Sequence, residues 1–275
     1  MRAGYDRLAA TARRGLQLSD LVDIRSDPLR DDLVKTRGLR LLVIVPALNE
    51  ALVIATVINE IHRALPGAEV LVIDDGSTDA TAEVAAKAGA RVARMPFNVG
   101  IGTAVQTGFR LAVEEDFDIA IQIDGDGQHP PDQVPRLLAA LSESGASYAI
   151  GTRFGHDGDY RPSFARRWGI TIFSRLVSIL ARQRLTDTTS GLRAADRRAI
   201  ALFAEHYPHD YPEVEAIILA RRNGLSIMEV PVTMRQRSTG QSSISPIRSA
   251  YYMVKVTLAV LVQFIGRNPT SEEPE

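Results

Sequence analysis

Three apolar runs in this chain end the same way. "RLLVIVPALNE" (40–50) and "EVLVIDDGSTD" (69–79) pass from unbroken Val, Ile and Leu, and "FDIAIQIDGDGQHPP" (117–131) from an apolar stretch in which Ile121 and Ile123 flank Gln122, into a knot of acids, amides, glycines and prolines. A continuous apolar run of this length suits a strand buried on both faces, as in a parallel sheet. Between the runs the apolar positions change to helical spacing, in "EALVIATVINEIHRAL", "ATAEVAAKAGA" and "GTAVQTGFRLAVEE". Asn49 is placed as the N-cap of the first of these helices, Gly89 as the stop of the second, and "RVARMP" as a further short strand. Strands alternating with helices over short links predict an α/β fold with a mostly parallel sheet. In such sheets ligands bind beyond the carboxyl ends of the strands, where all three polar knots fall.

The third knot carries the sharpest chemistry. Asp124 and Asp126 are two apart, and a strand running through them would put both side chains on one face. Gly125 and Gly127 permit a tight turn and a close ligand. With the amide oxygen of Gln128 they form a hard-oxygen set suited to Mg²⁺ or Mn²⁺ on a diphosphate. A plain Asp-Gly turn is the alternative. His129 suits an orienting or substrate-contacting role better than metal ligation, because hard cations prefer oxygen. In "DDGSTD" a carboxylate can accept from a base or a ribose, against the alternative of a helix cap. "NVGIGTAV" (98–105) has Gly100 and Gly102 but lacks the third glycine of a dinucleotide fingerprint, so a nicotinamide site is excluded.

Charge is balanced overall, at −1 across 275 residues, and gives no field for nucleic acid. It is segregated along the chain. Ala112 to Glu143 holds eight acids and one Arg; Arg153 to Arg198 holds ten Arg and four Asp; Val230 to Ile265 holds four cations and no acid. This segregation points to a cation handled in one place and an anion in another, with solvated helix faces as the alternative. There is no cysteine, hence no disulfide framework or thiolate metal site, which fits a reducing compartment. The N-terminal twenty residues lack a signal-peptide core, and no stretch offers the ~20 apolar residues of a membrane span.

The motifs "VPALNE", "VIDDGSTDAT", "NVGIGTAVQTG", "QIDGDGQHPP", "GTRF", "DTTSGLR" and "EVPVTMRQRSTGQSS" stand in the order seen in family 2 glycosyltransferases. The chain most resembles the branch of dolichyl-phosphate mannose synthases and bacterial polyprenyl-phosphate glycosyltransferases, over about residues 39 to 245. The resemblance implies a GT-A (Rossmann-like) fold, a nucleotide-sugar donor, a divalent metal, a polyprenyl-phosphate acceptor and inversion at the anomeric carbon. It places Pro46, Asn49, Glu50, Asp75, Gly76, Ser77, Asn98, Gly100, Gly102, Asp124, Ser190 and Gly191 around the donor, with Asp124, Asp126 and Gln128 on the metal. It places Arg153, Arg166, Arg167, Arg237 and Ser242 around the acceptor phosphate, and Asp126, Arg153, Arg167, Arg237 and Glu215 in catalysis. Two departures stand out. Ile101 replaces a Lys found in many relatives, and "YPEVE" (211–215) replaces an aromatic-Gln-Ile-Glu pattern of mannose synthases. The second departure favours a UDP-sugar, such as UDP-GlcNAc or UDP-Glc, over GDP-mannose.

A phosphate acceptor also follows from elementary chemistry. A hydroxyl nucleophile needs a general base, whereas a phosphate monoester is largely dianionic at neutral pH. Holding it beside another anion calls for planar, permanently charged Arg forks. The expected organisation is an N-terminal extension (1–38), a catalytic domain (39–246, with a nucleotide-sugar half to 148 and an acceptor half beyond) and a C-terminal helix and tail (247–275). That helix starts at Ser245 and Pro246, ends at Gly266, and is apolar nearly all round. It is expected to meet the membrane surface, the catalytic core or a second protomer. The resemblance implies a cytoplasmic chain, peripheral at the inner face of the plasma membrane, with a small membrane protein as a possible partner. A transferase acting on a hydroxyl and a non-catalytic sugar-nucleotide module are the competing readings.

Overall fold

The structure is a computed structural model that describes residues 38–153 and 174–235, except 176 and 180. The extension at 1–37, Arg166, Arg167, Arg237, Ser242 and the C-terminal helix lie outside the described residues. Seven strands form one mixed sheet in the order β3-β2-β1-β4-β6-β5-β7. They are β1 (Leu41–Ala47), β2 (Glu69–Asp74), β3 (Arg91–Arg94), β4 (Ile119–Gln122), β5 (Tyr148–Thr152), β6 (Arg193–Asp196) and β7 (Ile227–Pro231). The α-helices bounded among the described residues are α1 (Ile54–Ala64), α2 (Thr81–Lys87), α3 (Ile101–Glu114), α4 (Val134–Ser144), α5 (Arg197–His206) and α6 (Pro212–Arg222). Every pairing is parallel except those of β6, which runs antiparallel to both β4 and β5. The two expected halves therefore share a single sheet.

Strand alternation explains the three layers. On β1, Leu42 and Ile44 face one core with Val105 and Phe109 of α3, Phe203 of α5 and Ile217 of α6. Leu41, Val43 and Val45 face the other, with Ile54, Ile58 and Ile61 of α1 and Leu137 and Leu141 of α4. Both faces are covered, which is why β1 reads as an unbroken apolar run. The first core contains an aromatic knot. Phe203 lies 5.2 Å from Phe109, 4.9 Å from Tyr148 and 5.4 Å from Tyr207, measured between ring centroids. These tilted and edge-on contacts add to the area they bury.

Two local expectations are corrected. Asn49 does not cap α1, which starts at Ile54 with no side-chain cap. Its backbone has φ 56°, and its Oδ1 accepts from the Thr78 amide at 2.9 Å, tying the loop after β1 to the loop after β2. Nor does β4 run through both aspartates. It stops at Gln122, and Gln128 N donates to Asp126 Oδ1 at 3.0 Å, so Asp126 sits in a turn of its own making.

Phe203 is sealed from solvent at the centre of the aromatic knot. Phe203→Ala is expected to lower unfolding free energy by about 3–5 kcal/mol, read by urea denaturation.

Candidate active site

The site is built at the carboxyl edge of the sheet, and strand register decides what meets there. Parallel pairing sets Ala47 level with Asp74, the last residue of β2. The antiparallel pair Gln122↔Arg193, extended two residues, sets Asp124 opposite Gly191. Because β6 runs backwards, its beginning arrives where its neighbours end. A Cβ on Gly191 would stand 2.2 Å from Asp124 Oδ2, so only glycine permits the carboxylate to lie there. The same kind of closeness holds at Gly76, where φ is 75° and an added Cβ would meet the Phe97 carbonyl carbon at 2.5 Å.

The donor-side loops are stitched to one another through side chains. Ser77 Oγ accepts from Asn49 N at 2.9 Å, Thr81 Oγ1 from Glu50 N at 2.8 Å, and Asp79 Oδ2 from Ala51 N at 3.2 Å. Asp75 is buried and accepts from Val99 N at 2.7 Å and Gly100 N at 3.1 Å. Sequence reasoning gave it a ribose or base contact; the structure shows that it also anchors the loop of Asn98 and Gly100. Asn98 Oδ1 reaches Gly100 N at 3.1 Å and tightens that turn. Gly102 is a packing glycine, since a Cβ there would lie 2.3 Å from the Pro208 carbonyl oxygen. Pro46 lies in β1 beside the site, with its carbonyl 3.2 Å from where a Cβ on Gly125 would stand.

Among the acids, Asp124 Oδ1 is buried without a hydrogen-bond partner. Its Oδ2 lies 3.3 Å from Nδ1 of the buried His129. An orphaned carboxylate oxygen beside a second carboxylate and an amide is a donor set that fits a hard cation. Among the described residues no group of three or more His, Asp or Glu side chains gathers around one point. A cation here would complete its shell with phosphate oxygens and water.

Arg153 forks onto Asp187, with Nε–Oδ2 and Nη2–Oδ1 both 2.7 Å, and its Nη2 also reaches Thr189 Oγ1 at 2.5 Å. Burial alone would raise the Asp187 carboxyl; the Arg153 fork overrides it and holds the carboxyl below its ordinary value. One edge of the Arg153 guanidinium is thus already committed. Glu229 on β7 accepts from Thr186 N and Asp187 N, both at 2.8 Å, and fixes the start of the "DTTSGLR" loop. Arg235, two residues before Arg237 in the chain, pairs with Glu60 of α1 at 2.7 Å. Glu215 is buried in α6, and Glu213, half-buried in its first turn, has its carboxyl raised by burial, a shift that Arg193 opposes and Asp124 reinforces.

The pattern of Glycosyl transferase family 2 matches residues 42–203. The chain belongs to that family. Its fold is the GT-A architecture, and its relatives place it in the polyprenyl-phosphate sugar synthase branch. A polyprenol monophosphomannose synthase of Mycolicibacterium smegmatis is 31% identical over 78% of this chain and 85% of the relative. An undecaprenyl-phosphate mannosyltransferase of Micrococcus luteus is 33% identical over 75% and 88%. A UDP-N-acetylglucosamine–dolichyl-phosphate N-acetylglucosaminyltransferase of Methanococcus voltae is 28% identical over 69% and 83%. Among solved structures, glucosyl-3-phosphoglycerate synthase of Mycobacterium tuberculosis with Mn²⁺, UDP-Glc and phosphoglyceric acid superposes with a TM-score of 0.64 at 26% identity, over 85% of this chain and 82% of that one.

Asp187, Glu229 and Arg193 were missed as structural agents of this glycosyltransferase site, although all three lie inside motifs quoted from the sequence. The fork has a pH signature. A carboxyl depressed on folding contributes stability above its unfolded value of about 4, lost as pH falls through the folded value. Arg153→Met leaves Asp187 buried and uncompensated, costing about 3 kcal/mol at pH 7. Its carboxyl then rises, so the gap between variant and wild type should shrink from pH 7 to pH 3 in urea titrations. A gap independent of pH refutes the fork's electrostatic role.

Proposed function

We propose that the chain transfers a sugar from a nucleotide-sugar to a polyprenyl phosphate, with inversion at the anomeric carbon. The observation that carries this reading is Asp124, orphaned at Oδ1 and packed on Gly191 at the edge where the donor loops converge. Asp124, Asp126 and Gln128 would hold Mg²⁺ or Mn²⁺, which when bound neutralises charge on the departing nucleoside diphosphate. The loops of Asn49–Ser77 and Asp75–Gly100 form a stiff wall for the nucleoside, and Ser190–Gly191 lines the sugar. The acceptor phosphate, already an anion, needs no base. Its oxygen forms a bond to C1 from the face opposite the diphosphate, while the C1–O bond breaks and the diphosphate leaves with the electron pair. To the acceptor phosphate we assign Arg153, whose guanidinium is oriented by Asp187, together with Arg166, Arg167, Arg237 and Ser242, and to catalysis Glu215.

For the donor, the "YPEVE" segment favours a UDP-sugar, while the mannose-synthase relatives keep GDP-mannose as the competitor. Among the described residues no helix is long and apolar enough to cross a membrane. Access to a lipid acceptor at the inner membrane face is assigned to residues 247–265 on their sequence, which is apolar nearly all round at helical spacing. Vesicle flotation with and without residues 247–275 tests that assignment.

A second reading rests on one observation. The solved neighbour holds phosphoglyceric acid, and the raised carboxyl of Glu213 is what a hydroxyl acceptor would require as a base. Incubating the full chain with UDP- and GDP-sugars separates the two. The lipid reading expects product with polyprenyl phosphate and none with polyprenol or phosphoglycerate; product with either hydroxyl acceptor alone reverses it. Asp126→Ala and chelation of the metal are each expected to reduce transfer to background. Gly191→Ala should lower it about a hundredfold by displacing the Asp124 carboxylate, with the fold retained by circular dichroism.

A further inference from the structure

Arg193, the first residue of β6, is 1% exposed and is among the largest fully buried side chains of the described residues. Its three donors go in three directions. Nε donates to the Ser190 carbonyl at 2.8 Å, Nη1 to Tyr148 Oη at 2.8 Å, and Nη2 to the Glu213 carbonyl at 2.7 Å. The first contact holds the Ser190–Gly191 turn that lies on the Asp124 carboxylate. The third holds the first turn of α6, which carries Glu213 and Glu215. Tyr148, against which the guanidinium also stacks at 5.7 Å, is locked in turn by Phe203.

Burying a cation costs several kcal/mol before its partners compensate, and a well-packed apolar residue is often as good for folding alone. A planar fork with donors in fixed directions does what an apolar residue cannot: it sets the distance between two separate backbone segments. Arg193 binds both the turn on Asp124 and the head of α6. We propose that Arg193 is a positioning residue that couples the donor wall at Ser190–Gly191 to the first turn of α6, so that Asp124 and the α6 carboxylates keep a fixed spacing across the reacting centre. The proposal rests on the transferase reading for its kinetic consequences and on geometry alone for the coupling.

Its test uses two variants of the full chain. Arg193→Lys keeps the charge, but one ammonium cannot reach all three partners. Tyr148→Phe keeps the ring against Phe203 and deletes one acceptor. Hydrogen exchange should quicken at 188–192 and at 212–216 together in Arg193→Lys, with β1 and β2 unchanged. In the transfer assay kcat should fall about a hundredfold in Arg193→Lys and about tenfold in Tyr148→Phe, with the donor KM within about twofold of wild type. Faster exchange in one segment only, or in neither, overturns the coupling whatever the activity. Wild-type kcat in Arg193→Lys, or kcat, KM and melting temperature declining together with exchange across the sheet, reduces Arg193 to a structural residue. A wild-type chain that transfers no sugar refutes the transferase reading, and the exchange comparison still decides the coupling.

Discussion

A strand that runs backwards between β4 and β5 brings its beginning, rather than its end, to the edge where its neighbours finish. That reversal puts the Ser190–Gly191 turn opposite Asp124, two residues beyond the last paired positions of β4 and β6. A parallel strand in that place would deliver its start to the far edge, some four residues and roughly 13 Å away at the rise of a parallel strand. The missing side chain at residue 191 then becomes a geometric demand, because the carboxylate occupies the volume a Cβ would need. The register thus supplies the wall, and the wall holds the acid.

Around that acid the charges divide into two kinds. Arg153, Arg235 and Arg197 each have a carboxylate at 2.7 Å, on Asp187, Glu60 and Asp118 respectively. These cations serve first as struts. Asp124 instead keeps one buried oxygen without a hydrogen bond. A net excess of Arg in one stretch of chain therefore measures how many forks are available, and the fold decides how many remain for a ligand. The internal bracing by Arg153, Arg197 and Arg235 is invisible in the segregation of charge along the sequence.

What was legible in the sequence were features that act over short range. β1, β2 and β4 announce themselves by apolar runs, and the acid-glycine knots mark their ends, since burial on both faces and tight turning are written into consecutive residues. Contacts between residues far apart were not. Asn49 reads as a helix cap by its local neighbours, yet its amide oxygen is claimed by Thr78, brought near by the parallel pairing of β1 and β2. Glu229 reads as an ordinary strand residue until Thr186 and Asp187 arrive forty-odd positions earlier in the chain. Arg193 reads as one more cation in a basic half, because nothing beside it in sequence shows that Tyr148 and the Glu213 carbonyl will enclose it.

The stitching of the donor loops and the orphaned oxygen of Asp124 belong together physically. A buried acceptor without a partner costs roughly 1–3 kcal/mol, more when it is charged. Such a group persists only if its surroundings cannot relax to supply a donor. Here they cannot: Gly191 stands against the carboxylate, and the Ser190 carbonyl before it is held by Arg193. Nδ1 of His129 stops at 3.3 Å from the other oxygen. A frame this constrained keeps the acid from satisfying itself within the protein, and a ligand that brings positive charge to the site recovers the deficit on binding. Rigidity in the loops and incompleteness at the carboxylate are two consequences of one packing arrangement, in which the register that brings Gly191 to Asp124 also denies the acid a donor of its own.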